Sequence, residues 1–178
     1  MINVIDTPNP DTKKFVFDKT IVAKGSKEFK KKDSSVSVVD ELFNTGKIEL
    51  IFLDKNFISI RKSKDTSWED LTQNILDLLS KNINDDFTPL TFEEETEFTD
   101  DVSIRIEEVL NEKIRPAVAM DGGDIRLKSF KNGVAEVMLK GACAGCPSST
   151  ITLKHGVERM IKHYVPEVIS VEATNIND

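Results

Sequence analysis

The residues with the most chemical capacity are Cys143 and Cys146, the only two cysteines among 178 residues. They stand three positions apart in Lys140-Gly141-Ala142-Cys143-Ala144-Gly145-Cys146-Pro147. A strand-like run, Val134 to Leu139, leads in, and a helix-like run, Thr150 to Tyr164, leads out. Two thiols at a strand-to-helix turn converge on one point, where they can take a soft metal or form a disulfide. Pro147 suits the first turn of a helix, which places Cys146 at the helix N-terminus, where partial positive charge favours thiolate. Gly141 and Gly145 let the backbone pass close to a bulky ligand.

The ligand count narrows the options. A four-iron cluster or a structural zinc wants about four protein ligands, and this chain offers two thiols. His155 lies nine residues past Cys146 and His163 eight further, on a helix that carries them away. Two chains meeting at Cys143 and Cys146 complete the set by symmetry, and two-fold dimers are the commonest closed assemblies. Two other readings stay open: a dithiol oxidoreductase of thioredoxin-like arrangement, and a structural zinc shared across a dimer. Against the first, only the 32 residues after Cys146 remain to build the rest of such a fold.

The elements that must position this turn follow from periodicity. Val102, Ile106, Val109, Leu110 and Ile114 recur at helical spacing, and Arg115-Pro116 sits near the end of that helix. Asp121-Gly122-Gly123-Asp124 reads as a tight turn, with none of it a ligand. Ile125 to Phe130 alternates as a half-buried strand, and Asn132-Gly133 signals a hairpin into Val134 to Leu139. Leu153, Val157, Met160, Ile161 and Tyr164 make one helix face, and Val168 to Glu172 a last strand. The order is α-β-β-α-β.

Ahead of this lies a second organised region. Lys14 to Phe17 reads as a strand, Gly25 to Asp33 as a solvated lysine-rich loop, and Ser34 to Gly46 as a helical stripe. Lys47 to Leu53 and Phe57 to Arg61 make a hairpin. Ser67 N-caps a helix whose apolar face is Leu71, Ile75, Leu78 and Leu79. Asp85 to Asp101 holds eight acids and no Lys or Arg, an extended linker by composition. The expected fold class is therefore α+β: domains over residues 1–84 and 101–178, joined by an acidic linker over 85–100.

Global charge excludes some functions. Thirty-one acids against 24 bases leave a net −7, unsuited to non-specific nucleic-acid binding. No run approaches the ~18 apolar residues of a membrane span. The first residues hold no basic and apolar leader, and two cysteines do not make a secreted disulfide framework, so a reducing interior is expected.

The residues around the turn carry a family resemblance. Arg115-Pro116-Ala117-Val118, Asp121-Gly122-Gly123-Asp124-Ile125, Gly141 to Thr150, Thr152-Leu153-Lys154 and Tyr164-Val165-Pro166-Glu167-Val168 resemble the C-terminal NifU-like domain of Nfu iron–sulfur scaffold proteins. Thr7-Pro8-Asn9-Pro10, Lys14 to Phe17, Phe57 to Ile60 and Trp68 are similar to that family's N-terminal domain. The resemblance implies a carrier rather than an enzyme. It implies a [4Fe–4S] cluster held between two protomers by Cys143 and Cys146 and passed to apo iron–sulfur proteins, with upstream assembly factors as further partners. It also implies a bacterial cytoplasm or, alternatively, a mitochondrial matrix, and the absence of a presequence-like start favours the first.

Overall fold

The computed structural model describes residues 1–93, 97–145 and 147–175. The chain forms two compact units, Met1–Glu94 and Glu95–Asp178, both of mixed helix and strand.

The first unit contains β1 (Ile2–Asp6), β2 (Thr12–Phe17), β3 (Val22–Lys24), β4 (Lys27–Phe29), α1 (Ser37–Asn44), β5 (Ile48–Asp54), β6 (Phe57–Lys62), α2 (Trp68–Asn82) and β7 (Leu90–Thr91). Five strands make one sheet in the order β1-β2-β6-β5-β4, with every pairing antiparallel. One face alternates apolar, as Phe15, Phe17, Ile51, Leu53, Ile58 and Ile60, and closes one core with Val38, Val39 and Leu42 of α1 and Leu71, Ile75 and Leu79 of α2. Ser67 caps α2 by accepting a hydrogen bond from the Glu69 amide at 3.2 Å.

Two stretches differ from the sequence expectation. The lysine-rich segment from Gly25 to Asp33 is not a solvated loop throughout. Its Lys27–Phe29 pairs with β5, and Phe29 is buried with its ring edge-on to Phe92 at 6.0 Å. Lysines suit such an edge strand because they discourage further pairing, and they hid the one inward residue. The beginning of the acidic run is likewise folded. Leu90 donates its amide to the Ile21 carbonyl and Phe92 to the Lys24 carbonyl, both at 2.9 Å. Burial of Phe92 supplies what the acids do not, and Gly25, at φ +73°, lies against it: a Cβ there would meet the Phe92 carbonyl oxygen at 2.6 Å.

The second unit contains α3 (Asp101–Val109), a π-helical turn (Leu110–Ile114), α4 (Arg115–Met120), β8 (Gly123–Lys131), β9 (Val134–Gly141), α5 (Pro147–Tyr164) and β10 (Ser170–Asn175). The helix expected to stop near Arg115-Pro116 runs on to Met120. Proline has no N–H to donate inside a helix, and here a π-turn shifts the ladder just before it, with the Arg115 amide donating to the Leu110 carbonyl. β8 and β9 form the hairpin at Asn132-Gly133, whose φ values are +51° and +79°. α5 then crosses over so that β10 lies parallel to β9, from Ser170 opposite Val134. The last strand begins later than expected because Val165 to Val168 forms a turn, the Val168 amide donating to the Val165 carbonyl. The core is small and aliphatic: Ile106, Leu110, Ile125, Leu127, Val137, Leu139, Val157, Ile161 and Val171.

Candidate metal centre

The cysteine loop is built at the end of the β8–β9 ladder remote from the hairpin. There Gly123 pairs with Gly141 and Asp124 with Lys140. The chain reaches Gly123 through Gly122 at φ +82° and leaves β9 through Gly141 at φ +70°, a left-handed backbone that glycine adopts without strain. The Ala142 amide donates to the Gly122 carbonyl at 3.1 Å, and the Ala144 amide to the Gly141 carbonyl at 3.2 Å. These bonds curl residues 142–145 back over the start of β8.

Cys143 lies inside that curl, 7% exposed and part of the aliphatic core. Its thiol fills the space beside Gly123: a Cβ on Gly123 would stand 2.7 Å from the Cys143 Sγ and 2.8 Å from the Lys140 carbonyl oxygen. Such contacts are tighter than real side chains tolerate, so Gly123 admits the sulfur by having no side chain. The turn read from Asp121-Gly122-Gly123-Asp124 therefore does shape the cysteine end. Cys146, the other expected ligand, lies outside the described residues. α5 begins one position after it, at Pro147. Both histidines are exposed, and His163 stacks edge-on to Tyr164 at 4.8 Å. Among the described residues, no three of His, Cys, Asp or Glu come together as a metal site.

Beneath the loop lies an ionic network that the sequence did not single out. Asp124 is 2% exposed. Its carboxylate accepts from Arg115 Nε at 2.7 Å and Nη2 at 3.1 Å, with Arg126 Nε at 3.5 Å. Arg115 also donates to the Asn111 side chain. Glu107 accepts from Arg126 at 3.4 Å and from the Leu127 amide at 3.1 Å. Arg115 emerges directly after the π-turn, so the irregular helix is what brings a fork-shaped donor to a buried carboxylate. The available signal was the strand alternation, which puts Asp124 and Arg126 on the face opposite Ile125 and Leu127.

Residues 106–172 match the NifU-like domain family, and residues 2–86 match the family described as scaffold protein Nfu/NifU N terminal. The human "NFU1 iron-sulfur cluster scaffold homolog, mitochondrial" is 33% identical over 184 residues, covering 96% of this chain and 70% of that protein. The chain belongs to the Nfu/NifU family. "NifU-like protein 4, mitochondrial" of Arabidopsis thaliana is 33% identical over 188 residues, covering 96% of this chain and 65% of its own length. A NifU-like protein of Schizosaccharomyces pombe is 32% identical, covering 93% of this chain and 69% of that one. The chain thus spans about two thirds of the length of these relatives.

The donor set suits the chemistry of an Nfu/NifU protein. A thiol is a soft ligand for iron. It stands on a loop whose glycines keep the backbone close, directly before a helix N-terminus. Arg115 and Arg126 are paired with Asp124 and Glu107 at the same end of the sheet.

Proposed function

We propose that the chain is an iron–sulfur cluster scaffold and carrier, in which Cys143 and Cys146 from each of two protomers hold one [4Fe–4S] cluster for delivery to apo-proteins. The feature that carries this reading is the sequence pair Cys143 and Cys146, three positions apart ahead of α5, in a chain that offers two thiols where a four-iron cluster wants about four protein ligands. The names of the relatives, which are scaffold names, agree with it. The role is that of a carrier and not a catalyst. The cluster is cargo, and the residues of this chain hold and release it. Separating the protomers halves the ligand set, so the thiols of an acceptor can replace one protomer's pair by exchange.

In the same reading, the domain over residues 101–178 carries the cargo and the domain over residues 1–84 meets targets and assembly factors, with the acidic run over 85–100 between them. Mitochondrial relatives favour the mitochondrial matrix over the bacterial cytoplasm.

Anaerobic reconstitution with iron and sulfide tests the proposal. The expected product is a dimer with about four irons and four sulfides. The metal-free protein should be monomeric, and the cluster should pass to an apo-enzyme that gains activity. Cys143→Ser should lose the cluster while keeping the apo fold. Full iron and sulfide in that variant overturns the assignment, as does tightly bound zinc with no transfer. Insulin reduction by the metal-free protein would instead point to dithiol chemistry.

A further inference from the structure

The stretch from Lys24 to Lys32 carries five lysines in nine positions, in a chain whose net charge is −7. Lys24, Lys27, Lys30, Lys31 and Lys32 are all exposed. The acids beside them are fewer. Glu28 stands 3.9 Å from Lys30. Asp33 stands 3.5 Å from Lys27 and also accepts from the Ser35 amide at 3.0 Å. Glu93 follows Phe92, and Asp54 and Lys55, next past Leu53 on β5, balance each other. The strip is held by folded backbone. Lys24 closes β3, and its carbonyl accepts from the Phe92 amide at 2.9 Å. Gly25, at φ +73°, turns the chain against the Phe92 carbonyl. Lys27 opens β4 and lies over the rings of Phe29 and Phe92, at 4.9 Å and 5.8 Å from their centroids. β4 is the end strand of the five-stranded sheet. An end strand offers backbone donors and acceptors to a further strand, and its side chains decide which strands are welcome. Lysines repel a second copy of the same edge and attract an acidic one.

We propose that the lysine strip along β4, Lys24 to Lys32, is a docking surface for an extended acidic segment of a partner protein. This deepens the part of the carrier reading that gives the first domain to targets and assembly factors, but the contact itself needs no cluster. A short acidic segment suits the strip better than a long polyanion does. The positive charge is local, and a nucleic acid or an anionic membrane would also meet the excess of acids on the rest of the chain. The anchoring by Gly25, Phe29 and Phe92 sets the backbone before a partner arrives, which lowers the ordering cost of binding. Lysines needed for solubility alone would not require it.

The test titrates the full metal-free chain into a fluorescein-labelled synthetic peptide of alternating glutamate and serine and reads anisotropy. The parent should bind, and more weakly at about 0.15 M salt than at about 0.02 M. Three variants are compared with it: Lys30→Glu, Lys31→Glu and Lys32→Glu together; the same three changed to Gln; and, as a control with the same change in net charge, Lys64→Glu, Lys113→Glu and Lys131→Glu together, all exposed positions elsewhere. Trp68 fluorescence in a urea series checks that the first unit stays folded in each. The strip reversal should weaken binding by at least about tenfold, because three ion contacts become repulsions, and the Gln variant by less. The control should weaken it by no more than about threefold. No binding by the parent overturns the proposal, and so does an equal loss in the strip and control reversals, which would mean diffuse attraction. Tighter binding to a single-stranded RNA or to phosphatidylserine vesicles than to the peptide overturns it as well. Peptide binding by a chain that takes up no cluster would keep this proposal while the cargo reading fails.

Discussion

Two buried lysines, one in each unit, meet opposite fates. Lys62 in the first unit is 8% exposed, and its ammonium sits 2.8 Å from Asp11. Lys140 in the second is equally buried, and its cross-strand neighbour Asp124 is taken by two arginines. The surroundings differ in the same direction. The first unit closes its core with Phe15, Phe17 and Phe29 and settles this charge locally. The second packs small aliphatic residues and concentrates its buried charge at one end, under the loop that carries Cys143. The first arrangement is what stability alone asks for.

The sharpest way to break this contrast is at Asp124. Asp124→Asn keeps the shape but removes the charge that holds Arg115 and Arg126 beneath the loop. Breaking a buried charge network from one side typically costs about 3 kcal/mol. The second unit should lose roughly that much, read from its amide cross-peaks in a urea series. Trp68, the single tryptophan, lies in the first unit and should report no change in fluorescence midpoint. A loss shared by both units, or none in the second, would remove the basis for calling the network local support of the cysteine end.

Asp11→Ala sharpens the comparison from the other side. It leaves Lys62, 8% exposed, without the carboxylate it faces at 2.8 Å. Asp11 is 38% exposed on its side chain, which moderates the effect to about 1–2 kcal/mol. Trp68 fluorescence measures it in the first unit. An unchanged Trp68 midpoint would show that Asp11 does not settle the Lys62 charge.

Much of this was legible from the residues, and the rest was obscured for physical reasons. Asn132-Gly133 declared its hairpin because both positions need positive φ, and Ser67 declared its helix because a serine hydroxyl satisfies an amide that the helix leaves open. The α-β-β-α-β order followed from such signals. Phe29 and Phe92 escaped because each is a single inward residue among charges, and a composition count weighs the charges. The continuation through Pro116 escaped because a π-turn has no local sequence mark. At the site, Cys143 stood out by type and spacing. The Gly123 slot did not, since a glycine that makes room for a sulfur looks the same in sequence as one that makes a turn. Lys140 was hidden by its neighbours: one lysine before a glycine reads as a strand end, and only the register shows that it lies across from an aspartate already held by two arginines.

The smallest effect concerns the entry to the second unit and tests whether its other charges behave as ordinary surface ones. Asp100 caps α3, its carboxylate accepting from the Ser103 amide at 2.8 Å. That amide bond holds its pKa below the usual carboxylate range. Glu167 is lowered in the same way by the Arg105 guanidinium that donates to it. A carboxylate depressed in the folded state adds stability that is fully present above its unfolded pKa and is lost as pH falls through the folded value. The second unit should therefore hold its stability down to about pH 4 and weaken below it. Asp100→Asn keeps a capping oxygen but cannot titrate, so it should reduce the acid sensitivity while nearly preserving stability near neutrality. Asp100→Ala should lose stability at neutrality and show the same reduced acid slope. Both effects should be smaller than that of Asp11→Ala, since these groups face solvent. Melts of the second unit followed by its amide cross-peaks at pH 3 and pH 6 separate the variants. If Asp100→Asn kept the full acid slope, the titration would belong elsewhere, with Glu167 and Arg105 the next pair to examine.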